Sequence, residues 1–152
     1  MTLLIVYLII AIGVSFLCSI LEAVLLSMTP TFVERLAQDR PRAGAVVQKV
    51  RKRMDESLAS ILILNTFAHT MGAAGVGAQA LNVFGPEMET LVAVLLTLAS
   101  LYFSEIIPKT VGAIYWRGLA VPAAHAIGWL VRLTYPLAVS YTHLTLPTTP
   151  YV

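Results

Sequence analysis

Glu22 and Glu105 lie in stretches of the chain that are otherwise almost wholly apolar. An ionisable group inside a membrane span costs about 2.5 to 3.5 kcal/mol even on the lenient insertion scale, so it is a functional candidate. Other polar groups line up with these two. Ser15, Ser19 and Glu22 are spaced four and three apart and share one helix face. Asn65 and His69 are four apart, and Gly72 continues their face. A mid-membrane amide such as Asn65 must find partners for two donors and an acceptor. Ser15 and Ser60, taken singly, read as hydroxyls that help helices pack, and His69 reads as an interhelical donor before it reads as a ligand.

Taken together, a carboxylate, an amide oxygen and hydroxyls are hard oxygen donors. That set suits Mg²⁺ or another hard cation and not zinc or copper. The stretch FSEIIPKTVG, residues 103–112, adds geometry. Pro108 has no N–H and its ring crowds the carbonyl of Ser104, four residues earlier. A freed carbonyl beside Glu105 can complete a cation site, because irregular backbone in a membrane is tolerated where it lines a cavity. Lys109 offers the structural alternative: it follows Glu105 by four residues and could pair with it at the end of a span.

These residues need membrane helices to hold them, and the composition supplies such helices. Hydrophobic residues make up 58% of the 152 and charged residues 12%, against about 25% charged in soluble domains. The mean hydropathy is +0.82. The length has room for one domain, without the polar coat a soluble core would need. One cysteine, Cys18, excludes an internal disulfide and a cysteine metal cluster, and it reads as a small apolar helix residue. No Ser/His or paired-Asp arrangement points to an enzyme. Nothing calls for an organic cofactor or a nucleic-acid partner.

The predicted fold is an all-α integral membrane domain with three transmembrane helices, at about 3–28, 57–84 and 90–113. Twenty-six helical residues reach about 39 Å, enough to cross a hydrocarbon core of about 30 Å with tilt. A cleaved signal peptide is disfavoured, since no basic segment precedes Leu3 and the apolar run is too long. Residues 29–56 carry seven of the ten Lys and Arg together with four acids. They read as short amphipathic helices on either side of Pro41 and Gly44, suited to a membrane surface. Residues 118–138 form a juxtamembrane helix, with a fourth span as the open alternative; Pro122, Arg132 and Pro136 favour the former. The positive-inside rule places 29–56 in the cytoplasm and the N-terminus and the 85–89 turn outside. No internal repeat is present, so an inverted-repeat transporter within this chain is not expected.

Three motifs then carry a resemblance. SILEAVLLSMTP in the first span, ILNTFAH in the second and SEIIPKTVG in the third resemble the transmembrane domain of the cyclin M/CorC magnesium transporter family, bacterial proteins once called hemolysin-like. The resemblance covers roughly residues 3–138. It implies a multi-pass protein of the bacterial cytoplasmic membrane, a homodimer in the lipid bilayer, and Mg²⁺ as the transported ion, with Na⁺ exchange as suggested for the family. It also implies an inward-open site of serine, asparagine and glutamate side chains with a backbone carbonyl. Here these correspond to Ser19 (Ser15 assisting), Asn65, Glu105 and the carbonyl of Ser104. Family members commonly have glycine where this chain has Ser104. They usually carry C-terminal cytoplasmic domains, a CBS pair among them, and no CBS-like sequence occurs in these 152 residues. The alternative function is a non-transporting membrane anchor or sensor serving such missing domains.

The C-terminal stretch VSYTHLTLPT, residues 139–148, back-translates into a run of codons closely resembling a transposon mosaic-end sequencing adapter. A disordered or β-prone linker is the poorer account. The expectation is that native sequence stops near Ala138, that 139–152 is a non-native tail, and that the absent domains reflect truncation.

Overall fold

The computed structural model describes residues 1–145, with side chains described as far as Pro136. The last part of the expected non-native tail, residues 146–152, therefore lies outside the described residues. Six helices run α1 (Thr2–Ser27), α2 (Pro30–Asp39), α3 (Pro41–Lys52), α4 (Met54–Phe84), α5 (Glu89–Leu101) and α6 (Ile107–Thr145). A 3₁₀ turn at Pro86–Met88 precedes α5, and a π-helical segment, Tyr102–Ile106, joins α5 to α6. No strand occurs among the described residues.

Local chemistry accounts for the breaks. Helix α1 ends where Met28 turns extended (ψ 127°). Thr29 then caps α2, its hydroxyl accepting from the Phe32 N–H at 3.2 Å, and Pro30 occupies the first turn, where its missing N–H costs nothing. The α2–α3 junction departs from expectation. Pro41 does not separate two helices but opens α3, and the break falls at Arg40. Gly44 lies inside α3, where a Cβ would run into the backbone of Ala37. It permits close approach of α2 and α3 and does not break the helix. Gly44→Val should force the two apart and cost about 1 to 3 kcal/mol. A lower melting midpoint would register this, with Gly118→Ala, where a Cβ meets nothing within 4 Å, as the neutral control.

Helix α4 starts three residues before the expected boundary and ends at Gly85, whose φ of +84° suits glycine. The third long segment is continuous from α5 through the π segment into α6. It bends at Tyr115, which has non-helical φ −101° and ψ 18°. Beyond that bend, residues 116–145 form an arm. Three helical stretches are long and apolar enough to cross a membrane: Thr2–Ser27, Met54–Phe84 and Pro86–Pro136.

The arm is amphipathic. Ala120, Ala123, Ala124, Ile127, Leu130 and Val131 are buried at helical spacing, while Trp129 and Leu133 on the opposite face are 67% and 62% exposed. Its buried face shares one core with Val24 and Leu25 of α1, Val33 of α2, Val47 and Val50 of α3, and Ile61 of α4. The arm thus packs with α2 and the basic helix α3 at one end of the bundle. Phe32 meets Trp116 edge-on at 4.9 Å, Arg117 sits over that indole at 5.3 Å, and Arg51 donates to the Met28 carbonyl. An aromatic pair of this kind contributes about 0.5 to 1.5 kcal/mol beyond burial. Along the rest of the bundle, Ile9, Ile10, Leu17, Phe67, Met71, Leu95 and Leu98 face outward, a belt with the chemistry of lipid tails.

Candidate cation site

Helix α1 is pressed against its neighbours at two points that bracket the serines. A Cβ at Gly72 of α4 would collide with Ala11, and one at Gly112 of α6 would meet Ala23 and the Ile20 carbonyl. Small residues at such crossings let membrane helices approach closely. Ser15 and Ser19 lie between the two contacts and are fully buried.

Ser19 Oγ donates to the Ser104 carbonyl across 2.6 Å, from α1 to the π segment. Pro108 has no N–H to offer that carbonyl, and the π segment immediately precedes it. The oxygen expected to be free of its own helix is thus the one that meets Ser19. The Ser104 hydroxyl takes no part, because it folds back to donate to the Ser100 carbonyl. Ser104 contributes through its main chain alone.

Beside this pair, His69 Nε2 lies 2.8 Å from Ser15 Oγ and 3.3 Å from Glu105 Oε1. An Nε2–H donates to one of these oxygens; a bare Nε2 accepts the Ser15 proton. His69, read from sequence as an interhelical donor, thus touches the central carboxylate directly. Its four-residue offset from Asn65 was the signal available for it. Asn65 Oδ1, on the same helix, is buried with no hydrogen-bond partner, and so is Ser60 Oγ. Buried acceptors of this kind are rare and call for an explanation. Ser60, read as a packing hydroxyl, is therefore also a polar group without a hydrogen bond.

The donor set fits a hard cation. It combines one oxygen without a partner, Asn65 Oδ1, the hydrogen-bonded hydroxyl and carbonyl of Ser19 and Ser104, and one carboxylate. Among the described residues no cluster of three or more His, Cys, Asp or Glu could hold a metal. So sparse a charge suits an ion that keeps part of its water shell, as Mg²⁺ does. Room for water exists in a cavity of about 310 Å³ bordered by His69, Glu105, Ala11, Gly72, Thr97 and Ser100.

Lys109 does not pair with Glu105. Its Nζ lies 3.7 Å from Glu22 Oε2, bridging α6 to α1. The π segment widens the turn that contains Glu105, so residues four apart no longer stack as they do on an α-helix. Glu22 is therefore half of an ion pair, and Glu105 is left to His69 and the site. Lys109→Met should lower stability by about 1 kcal/mol, because the pair is only partly shielded. Adding Glu22→Gln should restore most of the lost melting midpoint; a single variant as stable as the parent would remove the pair from any account of stability.

Three span-length apolar helices with polar groups converging between them define a multi-pass membrane domain. Residues 6–149 match the family described as Cyclin M transmembrane N-terminal domain, and the chain belongs to that family. It is 30% identical to a UPF0053 protein of Synechocystis over 133 residues, 88% of this chain and 38% of that protein. It is 26% identical to the UPF0053 inner membrane protein YfjD of Escherichia coli over 105 residues, 69% of this chain and 24% of that one. A chloroplastic DUF21 domain-containing protein of Arabidopsis thaliana is 28% identical over 134 residues, 88% of this chain and 20% of that relative. The chain thus spans less than two fifths of the length of each of these relatives.

Proposed function

We propose that this chain is the membrane domain of a divalent-cation transporter with Mg²⁺ as its cargo. Ser19 Oγ, Asn65 Oδ1, Glu105 and the Ser104 carbonyl hold the ion, with Ser15 assisting. The observation that carries the reading is the meeting of Ser19 with the Ser104 carbonyl at 2.6 Å; an amide oxygen on α4, Asn65 Oδ1, is also buried without a partner. Binding asks for two local changes. The Ser19 hydroxyl turns its proton away so that both oxygens face the ion, and Glu105 exchanges His69 for the cation. Each change is a side-chain rotation, so the site loads without moving a helix.

The basic α2–α3 end faces the cytoplasm and the N-terminus lies outside, following the positive-inside rule. A homodimer, Na⁺ exchange and cytoplasmic domains downstream belong to the same proposal, through family resemblance. Calorimetric titration of the purified protein with Mg²⁺ tests it, with Na⁺ as the monovalent control. Saturable Mg²⁺ binding that weakens in Ser19→Ala is expected.

A second reading rests on His69, which bridges Ser15 and Glu105 and so can act as interhelical glue in a non-transporting anchor or sensor. Absence of any saturable Mg²⁺ binding would favour that reading.

A further inference from the structure

A second cavity, about 590 Å³, opens between α3 and the arm of α6, away from the cation site. Lys49 and Arg53 line it from the α3 side, and His125 and Arg132 from the arm. Among the described residues no acidic side chain lines it. Neither Lys49 nor Arg132 has a carboxylate partner among the described residues, and Arg53 forms a partly exposed ion pair with Glu56 at 3.8 Å, of the kind that contributes little. Four basic side chains, from α3, its C-cap and the arm, thus converge on one cleft, and two of them, Lys49 and Arg132, carry full positive charges without a carboxylate partner among the described residues.

The floor and rim say what kind of anion fits. The floor is apolar and small, including Val50, Ala124 and Gly128, and Trp129 stands exposed at the rim. Exposed tryptophan marks the depth at which headgroups meet tails. The cleft also lies where the outward-facing apolar belt of the bundle gives way to the basic helix α3. A water-soluble anion needs neither the apolar floor nor that position. A phosphodiester attached to acyl chains uses both, and basic pockets between membrane helices are known to seat such headgroups.

We propose that this cleft is a binding site for the phosphate headgroup of an anionic membrane lipid. Lys49, Arg53 and Arg132 hold the phosphate, and the glycerol and upper acyl chain lie over the floor against Trp129. A lipid seated there ties α3 to the arm, and so braces the end of the bundle that carries the last turn of α1. The inference needs only that the chain is a membrane domain, and it stands or falls apart from the cation site.

Gly128 supplies a clean test, because a Cβ there meets nothing within 4 Å. Gly128→Leu should fill the cleft without strain and, as a better helix former, without loss of stability. The protein, purified in neutral detergent, is titrated with phosphatidylglycerol, phosphatidylcholine and inorganic phosphate, and the thermal midpoint is followed. Phosphatidylglycerol should raise it saturably and phosphatidylcholine should not. Apparent affinity should fall on the order of tenfold or more both in Gly128→Leu and in the double variant Lys49→Gln/Arg132→Gln, each retaining its lipid-free midpoint. Equal stabilisation by phosphatidylcholine, or full affinity in the Gly128→Leu variant, would overturn the proposal. Inorganic phosphate giving the same saturable shift, or soluble poly-glutamate acting where phosphatidylglycerol does not, would overturn it in favour of a free anion or an acidic protein segment.

Discussion

Glu105→Gln is expected to weaken Mg²⁺ binding by at least about a hundredfold, roughly 2.7 kcal/mol, while leaving the fold intact. Glu105, within the π segment, is the one carboxylate that meets His69 among the described residues; Glu22, the acid of the first span, is engaged by Lys109. The remaining donors are a hydroxyl, an amide oxygen and a carbonyl, all neutral. Affinity of oxygen sites for hard cations follows the count of charged ligands, so loss of the single charge removes most of the electrostatic term. Glutamine has nearly the same shape, and its amide oxygen still accepts a proton from His69. The melting midpoint without Mg²⁺ should therefore stay within a few degrees of the parent. Titration calorimetry and a thermal scan on the same samples separate the two effects. Parental affinity in Glu105→Gln would sink the assignment of this carboxylate to the ion.

Pro108→Ala should produce effects of opposite sign on binding and stability. A proline inside a regular helix costs about 3 kcal/mol or more through its missing N–H and the clash with the carbonyl four residues back. Alanine restores an N–H that can bond to the Ser104 carbonyl, drawing the Tyr102–Ile106 segment toward regular α-helix. Ser19 would then compete for an acceptor already in use, and Glu105 would turn relative to α1. Loss of the buried proline ring costs about 1 kcal/mol in return. The midpoint without Mg²⁺ should hold or rise, while Mg²⁺ affinity falls at least tenfold. A purely structural proline predicts neither the binding loss nor the retained stability. If Mg²⁺ binds the variant as it binds the parent, the Ser104 carbonyl is not a ligand.

Much of this was legible in the chain because membrane burial leaves few polar residues to choose among. Hydropathy over twenty or more residues reports a span directly, and the basic, polar stretch 29–56 is where the short helices α2 and α3 fall. Ser19, Asn65 and Glu105 stood out for the same reason, as polar groups in apolar runs. Pro108 even pointed to the carbonyl of Ser104, since the steric conflict at four residues is local. The position of the break at Arg40 was not legible, because proline opens a helix as readily as it ends one. Nor was the role of Gly44, whose neighbour Ala37 belongs to another helix.

The sequence by itself determined the all-α membrane architecture, its three long apolar helices and the few polar residues in them with hard-oxygen donor chemistry, because each follows from hydropathy, helical periodicity and residue type along one element. Only the tertiary structure decided which of those residues meet. It put His69 between Ser15 and Glu105, gave Lys109 to Glu22, and left Asn65 Oδ1 without a hydrogen bond. It also packed the arm of α6 on α3 so that basic groups far apart in the chain line one cleft. These pairings depend on how α1, α4 and α6 are rotated and spaced. The crossings at Gly72 and Gly112 and the widened π turn set that geometry, through contacts that no single-helix pattern encodes.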